Sequence, residues 1–209
     1  CYNKTMNNKI PIFPLSNVIF FPETDLPLNI FEKRYIQMVD VSLKNEKLIG
    51  IIQPKTKTDL YSIGCLGKIT SFTETEDKRY IINLKGVSKF KIIEEIKNKY
   101  LFREFKVEYL DPEIENTSQE KLKINFINSE FDINQLKKFL KKRGFSLNWK
   151  QVDNMDFKNI VNALCMIMPI NVNEKQTLLE TENTMKRFEI LKNIIDLDLL
   201  DKFKNKTIQ

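Results

Sequence analysis

From Leu101 to Leu110 apolar and polar residues alternate. Leu101, Phe105, Val107 and Tyr109 share one face, and Glu104, Lys106 and Glu108 share the other. A period of two predicts a strand with one face on a core and the other in water. The rest of residues 10–110 consists of similar short apolar runs, broken by Gly, Pro, Asn and Asp, and reads mainly as β structure. Strands are predicted at Ile10–Leu15, Leu48–Gln53 and Gly64–Phe72. Tyr80–Leu84 and Val87–Ile93 are predicted to form a hairpin, with Gly86 taking a positive φ in its turn. One helix, roughly 32–44, interrupts the series, because Phe31, Tyr35, Met38, Val39 and Ser42 recur at helical spacing and form a stripe that faces the sheet.

Across residues 111–120 the periodicity gives way to turn formers and acid, which places a boundary between a β subdomain, 10–110, and a second one, 121–209. Beyond it the period is helical. Asp132 with Gln135 predicts a cap for a helix carrying Leu136, Phe139 and Leu140, whose Lys141, Lys142 and Arg143 meet the negative end of the dipole before Gly144. Phe157, Ile160, Val161, Leu164 and Met168 form a second stripe, stopped by Pro169. Asn173 with Gln176 predicts the cap of a short third helix, and Met185, Phe188, Leu191, Ile195 and Leu199 line a long last one. The expected fold class is therefore α+β: a twisted β subdomain with one packed helix, then a small helical bundle.

Composition narrows the chemistry. The 209 residues contain no His, which excludes Ser-His-Asp and Cys-His mechanisms and the commonest transition-metal ligand. Cys1, Cys65 and Cys165 are isolated, so no zinc set, CxxC pair or disulfide framework is expected, and a reducing, cytoplasmic setting fits. Cys1 also raises the reading of a lipidated first residue, but the folded-looking segment near Ile10 favours a truncated or misassigned start, with Met6 as the alternative. No apolar run approaches the ~18 residues of a membrane span. The 18 basic and 13 acidic side chains of residues 1–110 give +5, and the remainder is near neutral.

No phosphate-cradling, dinucleotide or nucleophile-elbow glycine motif is present; Gly64-Cys65-Leu66-Gly67-Lys68 lacks both the spacing and the hydroxyl of a P-loop. Glu74/Glu76 and Glu94/Glu95 read as solvated strand ends rather than acid–base pairs, the 137–143 cluster as a solvated helix face, and Trp149 as a packing residue. No catalytic residue, metal site or cofactor is expected.

The most informative stretch is 10–35, where prolines alternate with apolar residues and favour extended, edge-strand chain. Such a segment can present aromatics at a sheet rim and hold an extended peptide, with Phe20, Phe21, Phe31, Tyr35 and Met38 as candidate contacts. The plainer alternative for Phe20 and Phe21 is that both are core.

The same stretch resembles the opening of the Lon protease N-terminal domain. The resemblance rests on Pro14-Leu15, Val18 and Phe21-Pro22, then Leu26-Pro27-Leu28 and Ile30-Phe31-Glu32-Lys33-Arg34-Tyr35, a form similar to small stand-alone bacterial Lon-domain proteins. It continues through Gly50-Ile51-Ile52-Gln53, Leu60 to Gly67, Leu84-Lys85-Gly86, Ile160 to Leu164, Met168-Pro169 and Glu174 to Glu180. The resemblance implies a barrel-like, PUA-type β subdomain followed by helices, serving as a substrate-recognition module. The AAA+ motor and Ser-Lys peptidase of full-length Lon proteases have no matching positions. The implied function is a non-enzymatic binder of unfolded or extended polypeptide, an adaptor toward an AAA+ protease or chaperone. The competing expectation is an RNA-binding module, for which the PUA relationship and the +5 charge argue.

Overall fold

A computed structural model describes residues 8–110, 133–145 and 155–204. The expected boundary at 111–120, the cap at Asp132, the packing of Trp149 and the status of Cys1 lie outside those residues. The chain divides into two compact units, Cys1–Pro112 and Glu113–Gln209.

The short apolar runs of the first unit become six strands: β1 (Lys9–Pro14), β2 (Asp25–Ile30), β3 (Leu48–Ile52), β4 (Ile63–Glu74), β5 (Tyr80–Ile96) and β6 (Arg103–Tyr109), with α1 (Lys33–Leu43) between β2 and β3. β1 lies between β3, which runs parallel to it, and antiparallel β6, with Ile12 opposite Gly50 and Ile10 opposite Phe105. β4 joins β3 to β5, and β5 also pairs with β6, so hydrogen bonding runs round a ring β5–β4–β3–β1–β6 and returns to β5. β2 is added outside the ring on the first half of β5. Inward residues of the ring, Ile10, Ile12, Ile52, Leu66, Phe90, Phe105 and Val107, form one buried apolar cluster.

The expected hairpin at Gly86 does not form. Tyr80–Ile96 is one 17-residue strand, and the register against β4 shifts between Leu66 and Gly67, leaving Val87 as an extra residue. Glycine serves a different need here. A β-carbon on Gly86 would stand 2.2 Å from the carbonyl oxygen of Phe21, and the Gly86 N–H and C=O bond Thr24 and Glu23. The proline-bounded 21–24 segment is thereby laid directly on the strand.

Leu101 also departs from the expected pattern. β6 begins two residues later, Asn98 accepts the Tyr100 N–H in a turn, and Leu101 is turned out to 64% exposure while Phe102 is buried. From Arg103 onward the alternation holds, with Phe105 and Val107 inside.

The second unit contains four helices among the described residues: α2 (Ile133–Lys142), α3 (Phe157–Ile167), α4 (Val172–Glu180) and α5 (Thr184–Lys204). Leu136, Phe139 and Leu140 of α2 are buried. Gly144 takes φ 79°, and the N–H groups of Gly144 and Phe145 return to Lys141 and Leu140, closing that helix end. α3 is capped by Asp156, and its whole apolar stripe through Met168 is buried. The cap expected at Asn173 lies two residues earlier: Asn171 accepts from Glu174 N–H while the Glu174 carboxylate accepts from Asn171 N–H. In α5, Phe188, Leu191 and Ile195 are buried, whereas Met185 is exposed.

Candidate functional site

Of the five expected contact residues, four are interior. Phe20 and Phe21 are 1% and 0% exposed, Met38 is fully buried beneath α1, and Tyr35 packs its ring on Phe13 with centroids 4.1 Å apart. The 20–21 segment is pinned between the start of β2 and Gly86, so its rings point into the protein; the expected rim of Phe20 and Phe21 is corrected to a core. Phe31 alone is open, at 66%, because it precedes the Glu32 N-cap and α1 turns away behind it.

A surface nevertheless forms round α1. The Gln37 side-chain oxygen accepts the Leu101 N–H at 2.7 Å, which fixes the exposed Leu101 beside the helix. Phe31 at the helix start and Leu101 at its middle thus give two apolar side chains on an ordered scaffold. Behind them, Tyr80 donates its hydroxyl to Asp40 at 2.8 Å, and this bond raises its pKa to about 12. The helix is tied to both β5 and the turn before β6.

A cleft of about 590 Å³ opens at the N-terminal end of α1, with Arg34 and Tyr35 on one side, Arg103 on another and the 53–57 turn on a third. The turn is held by Thr56, whose hydroxyl donates to Asp59 at 2.8 Å, and by the Lys55 N–H on the Asp59 carbonyl. Gln53 accepts the N–H of Asn17, itself in the left-handed region at φ 64°. Four cations, Arg34, Lys55, Lys57 and Arg103, line the cleft, and its lining includes no carboxylate.

Both arginines are oriented from outside the cleft. Arg103 donates to both oxygens of Glu95 at 2.8 and 2.7 Å, which holds that carboxyl below its ordinary range and raises the guanidinium. Arg34 pairs with Glu32 at 2.8 Å and lies over the Tyr35 ring at 4.6 Å. Burial raises the Tyr35 pKa, against the opposing pull of Arg34. Chemically the arrangement offers cation and amide donors beside apolar side chains, which is equipment for binding. Among the described residues no three Cys, Asp or Glu converge as metal ligands, and no helix is long and apolar enough to cross a membrane.

The sequence reading missed this cleft and the role of Leu101. Lys55 and Lys57 are visible as neighbours, but Arg34 and Arg103 join them only through the fold. Arg187, to which the sequence assigned no role, is fully buried in the second unit and donates to Asn162 Oδ1 at 2.8 Å and to the Leu178 carbonyl at 2.9 Å. Nearby Cys165 is buried, and burial pushes its thiol up to about 12, a setting for packing rather than nucleophilic attack.

Residues 9–196 match the family of ATP-dependent protease La (LON) substrate-binding domains. Among curated proteins, the chain is 23% identical over 208 residues to the Lon protease of Dictyoglomus thermophilum, covering 94% of this chain and 26% of that one. It is 28% identical over 203 residues to the Lon protease of Erwinia amylovora, covering 92% and 25%. The chain thus spans about a quarter of the length of these relatives. Among solved structures it is similar to the N-terminal domain of the Mycobacterium avium complex Lon protease, with a TM-score of 0.68 at 16% identity over 90% of this chain and 98% of that one. A Lon N-terminal domain protein from Xanthomonas campestris gives a TM-score of 0.65 at 17% identity over 88% and 96%.

Proposed function

The chain belongs to the Lon substrate-binding domain family, and from that premise we propose that it captures unfolded or extended polypeptide without making or breaking bonds, presenting it to an AAA+ protease or a chaperone. The observation that carries this reading is the exposure of Phe31 and Leu101, the two most open large apolar side chains among the described residues, at 66% and 64%. Apolar burial at ~25 cal/mol per Å² supplies the affinity, less the cost of ordering the client. Tyr35 and Met38, on the buried face of α1, anchor the helix that follows Phe31. Two buried free thiols, Cys65 and Cys165, fit a reducing cytoplasm.

The test is capture of a fluorescent unfolded polypeptide, such as reduced carboxymethylated α-lactalbumin, followed by anisotropy. Phe31→Asp together with Leu101→Asp is expected to weaken capture at least tenfold, about 1.4 kcal/mol, while thermal unfolding stays cooperative. Unchanged capture by that variant removes these residues from the site; no capture by the unaltered protein removes the reading.

RNA binding is the second reading, favoured by the four cations of the cleft. A gel shift across a salt series decides it, because phosphate neutralisation makes affinity fall steeply with salt. An oligoribonucleotide that binds no better than a neutral polymer at about 0.15 M salt ends this reading.

A further inference from the structure

The cleft at the start of α1 is more than a solvated basic face. Its four cations come from three separate segments, α1, the 53–57 turn and β6, and they converge on one concavity of about 590 Å³. Pockets of that size suit small ligands and short pieces of chain. A cleft lined by one sign of charge concentrates the opposite sign. Glu32 and Glu95 neutralise Arg34 and Arg103, and the Asp59 carboxylate also acts on Arg103, so the lining cations with no ion pair among the described residues are Lys55 and Lys57. Lys55 is steered by the Tyr61 ring, 4.9 Å from its ammonium.

The Nε and Nη2 donors of both arginines are taken, Arg34 by Glu32 and Arg103 by Glu95, so the lysines are the cations left to meet an incoming anion. The cleft is continuous in sequence with the open apolar residues: Phe31 is three residues before Arg34, and Leu101 two before Arg103. A client lying across Phe31 and Leu101 has its neighbouring residues at the cleft.

We propose that this cleft receives carboxylate side chains of the bound polypeptide, so that the preferred clients are segments in which apolar residues are flanked by Asp or Glu. This inference rests on the polypeptide-binding reading and adds a selectivity to it.

The experiment compares two labelled 15-residue peptides with the same apolar residues. One carries three flanking Asp or Glu, and the other carries Ser and Gln at those positions. Anisotropy titrations use the full chain. Two or three partly exposed charge contacts predict about five- to tenfold tighter binding of the acidic peptide, shrinking as salt rises toward ~0.5 M. Lys55→Glu with Lys57→Glu, both at exposed positions, is expected to bring that preference within about twofold, its thermal midpoint serving as the control for folding. Equal affinity of the two peptides for the unaltered protein overturns the inference and leaves the polypeptide reading standing. A preference that survives the double charge reversal overturns it by moving the acidic contact elsewhere. Binding of neither peptide sinks both readings. Displacement of the acidic peptide by a uridine 20-mer at lower concentration than by unlabelled peptide reassigns the cleft to nucleic acid.

Discussion

Gln37 and Leu101 are 64 residues apart, yet the glutamine side-chain oxygen accepts the leucine N–H at 2.7 Å. This bond joins the face of α1 to the turn before β6 and holds an otherwise exposed leucine in place. Gln37→Ala is expected to lower stability by only ~0.5–1.5 kcal/mol, the net worth of one hydrogen bond. Hydrogen exchange at the Leu101 amide rises in that variant far more than at Val107, and a uniform rise would mean that the bond has no local role.

Phe20 and Phe31 are predicted to behave oppositely. Phe20→Ala opens a cavity beneath the sheet and costs about 3–5 kcal/mol in urea unfolding. Phe31→Ala, on an open side chain, changes stability by less than about 0.5 kcal/mol while weakening peptide capture. Equal losses from the two would contradict their burial of 1% and 66%.

Gly86→Ala places a methyl group 2.2 Å from the Phe21 carbonyl oxygen, and the obstacle is backbone rather than a movable side chain. The strand and the 21–24 segment must separate, with a loss of about 1–3 kcal/mol in thermal or urea unfolding. A neutral result would show that the Phe21–Pro22 segment yields freely.

Alkaline stability follows from buried or bonded phenols, Tyr35 among them, and most strongly from two. The bond to Asp40 raises Tyr80 to about 12, and burial raises Tyr109 to about 12, each from 10.0. Between these values the folded chain holds protons that the unfolded chain releases, so the contribution is full below pH 10 and is lost as pH climbs toward 12. Tyr80→Phe should flatten this decline in urea midpoints measured from pH 9 to 11.5. An undiminished slope in that variant would place the titration elsewhere.

Arg187 closes the end of α4. Its guanidinium donates to the Leu178 carbonyl, one of the last-turn acceptors that the helix itself leaves unpaired, and brings positive charge to the negative end of the dipole. Arg187→Met removes this bond and the one to Asn162, for an expected loss of about 3 kcal/mol or more. Urea unfolding followed by circular dichroism at 222 nm measures it, and a loss below ~1 kcal/mol would mean that water replaces the guanidinium at little cost.

What could be read from the sequence was what neighbouring residues determine. Of the stripe expected to face the sheet, Tyr35, Met38, Val39 and Ser42 need only helical period and are buried on one face of α1, whereas Phe31 falls before the helix and is open. Gly144 ends α2 for a local reason as well, its positive φ. Gly86 misled because a glycine after Lys85 reads as a turn unless one knows that Phe21 will lie against it. Leu101 fitted the alternation of β6 on paper, but the Asn98 turn ends the regular geometry before reaching it. Phe20 and Phe21 have the composition of a rim, and only the layer beneath Gly67 and Gly86 turns them inward. The cleft needed tertiary convergence of Arg34 with Arg103, for which no spacing rule exists.

The position of β1 also sets an order of assembly. It joins β3 early, with Phe13 opposite Ile51, but its other neighbour is β6, with Lys9 opposite Lys106. During synthesis at roughly 5–20 residues per second, the first strand therefore waits several seconds with one side unpaired. Through that interval the nascent chain carries an open strand edge rich in isoleucine and phenylalanine, and two prolines, Pro11 and Pro14, are what it has to discourage a stranger from joining.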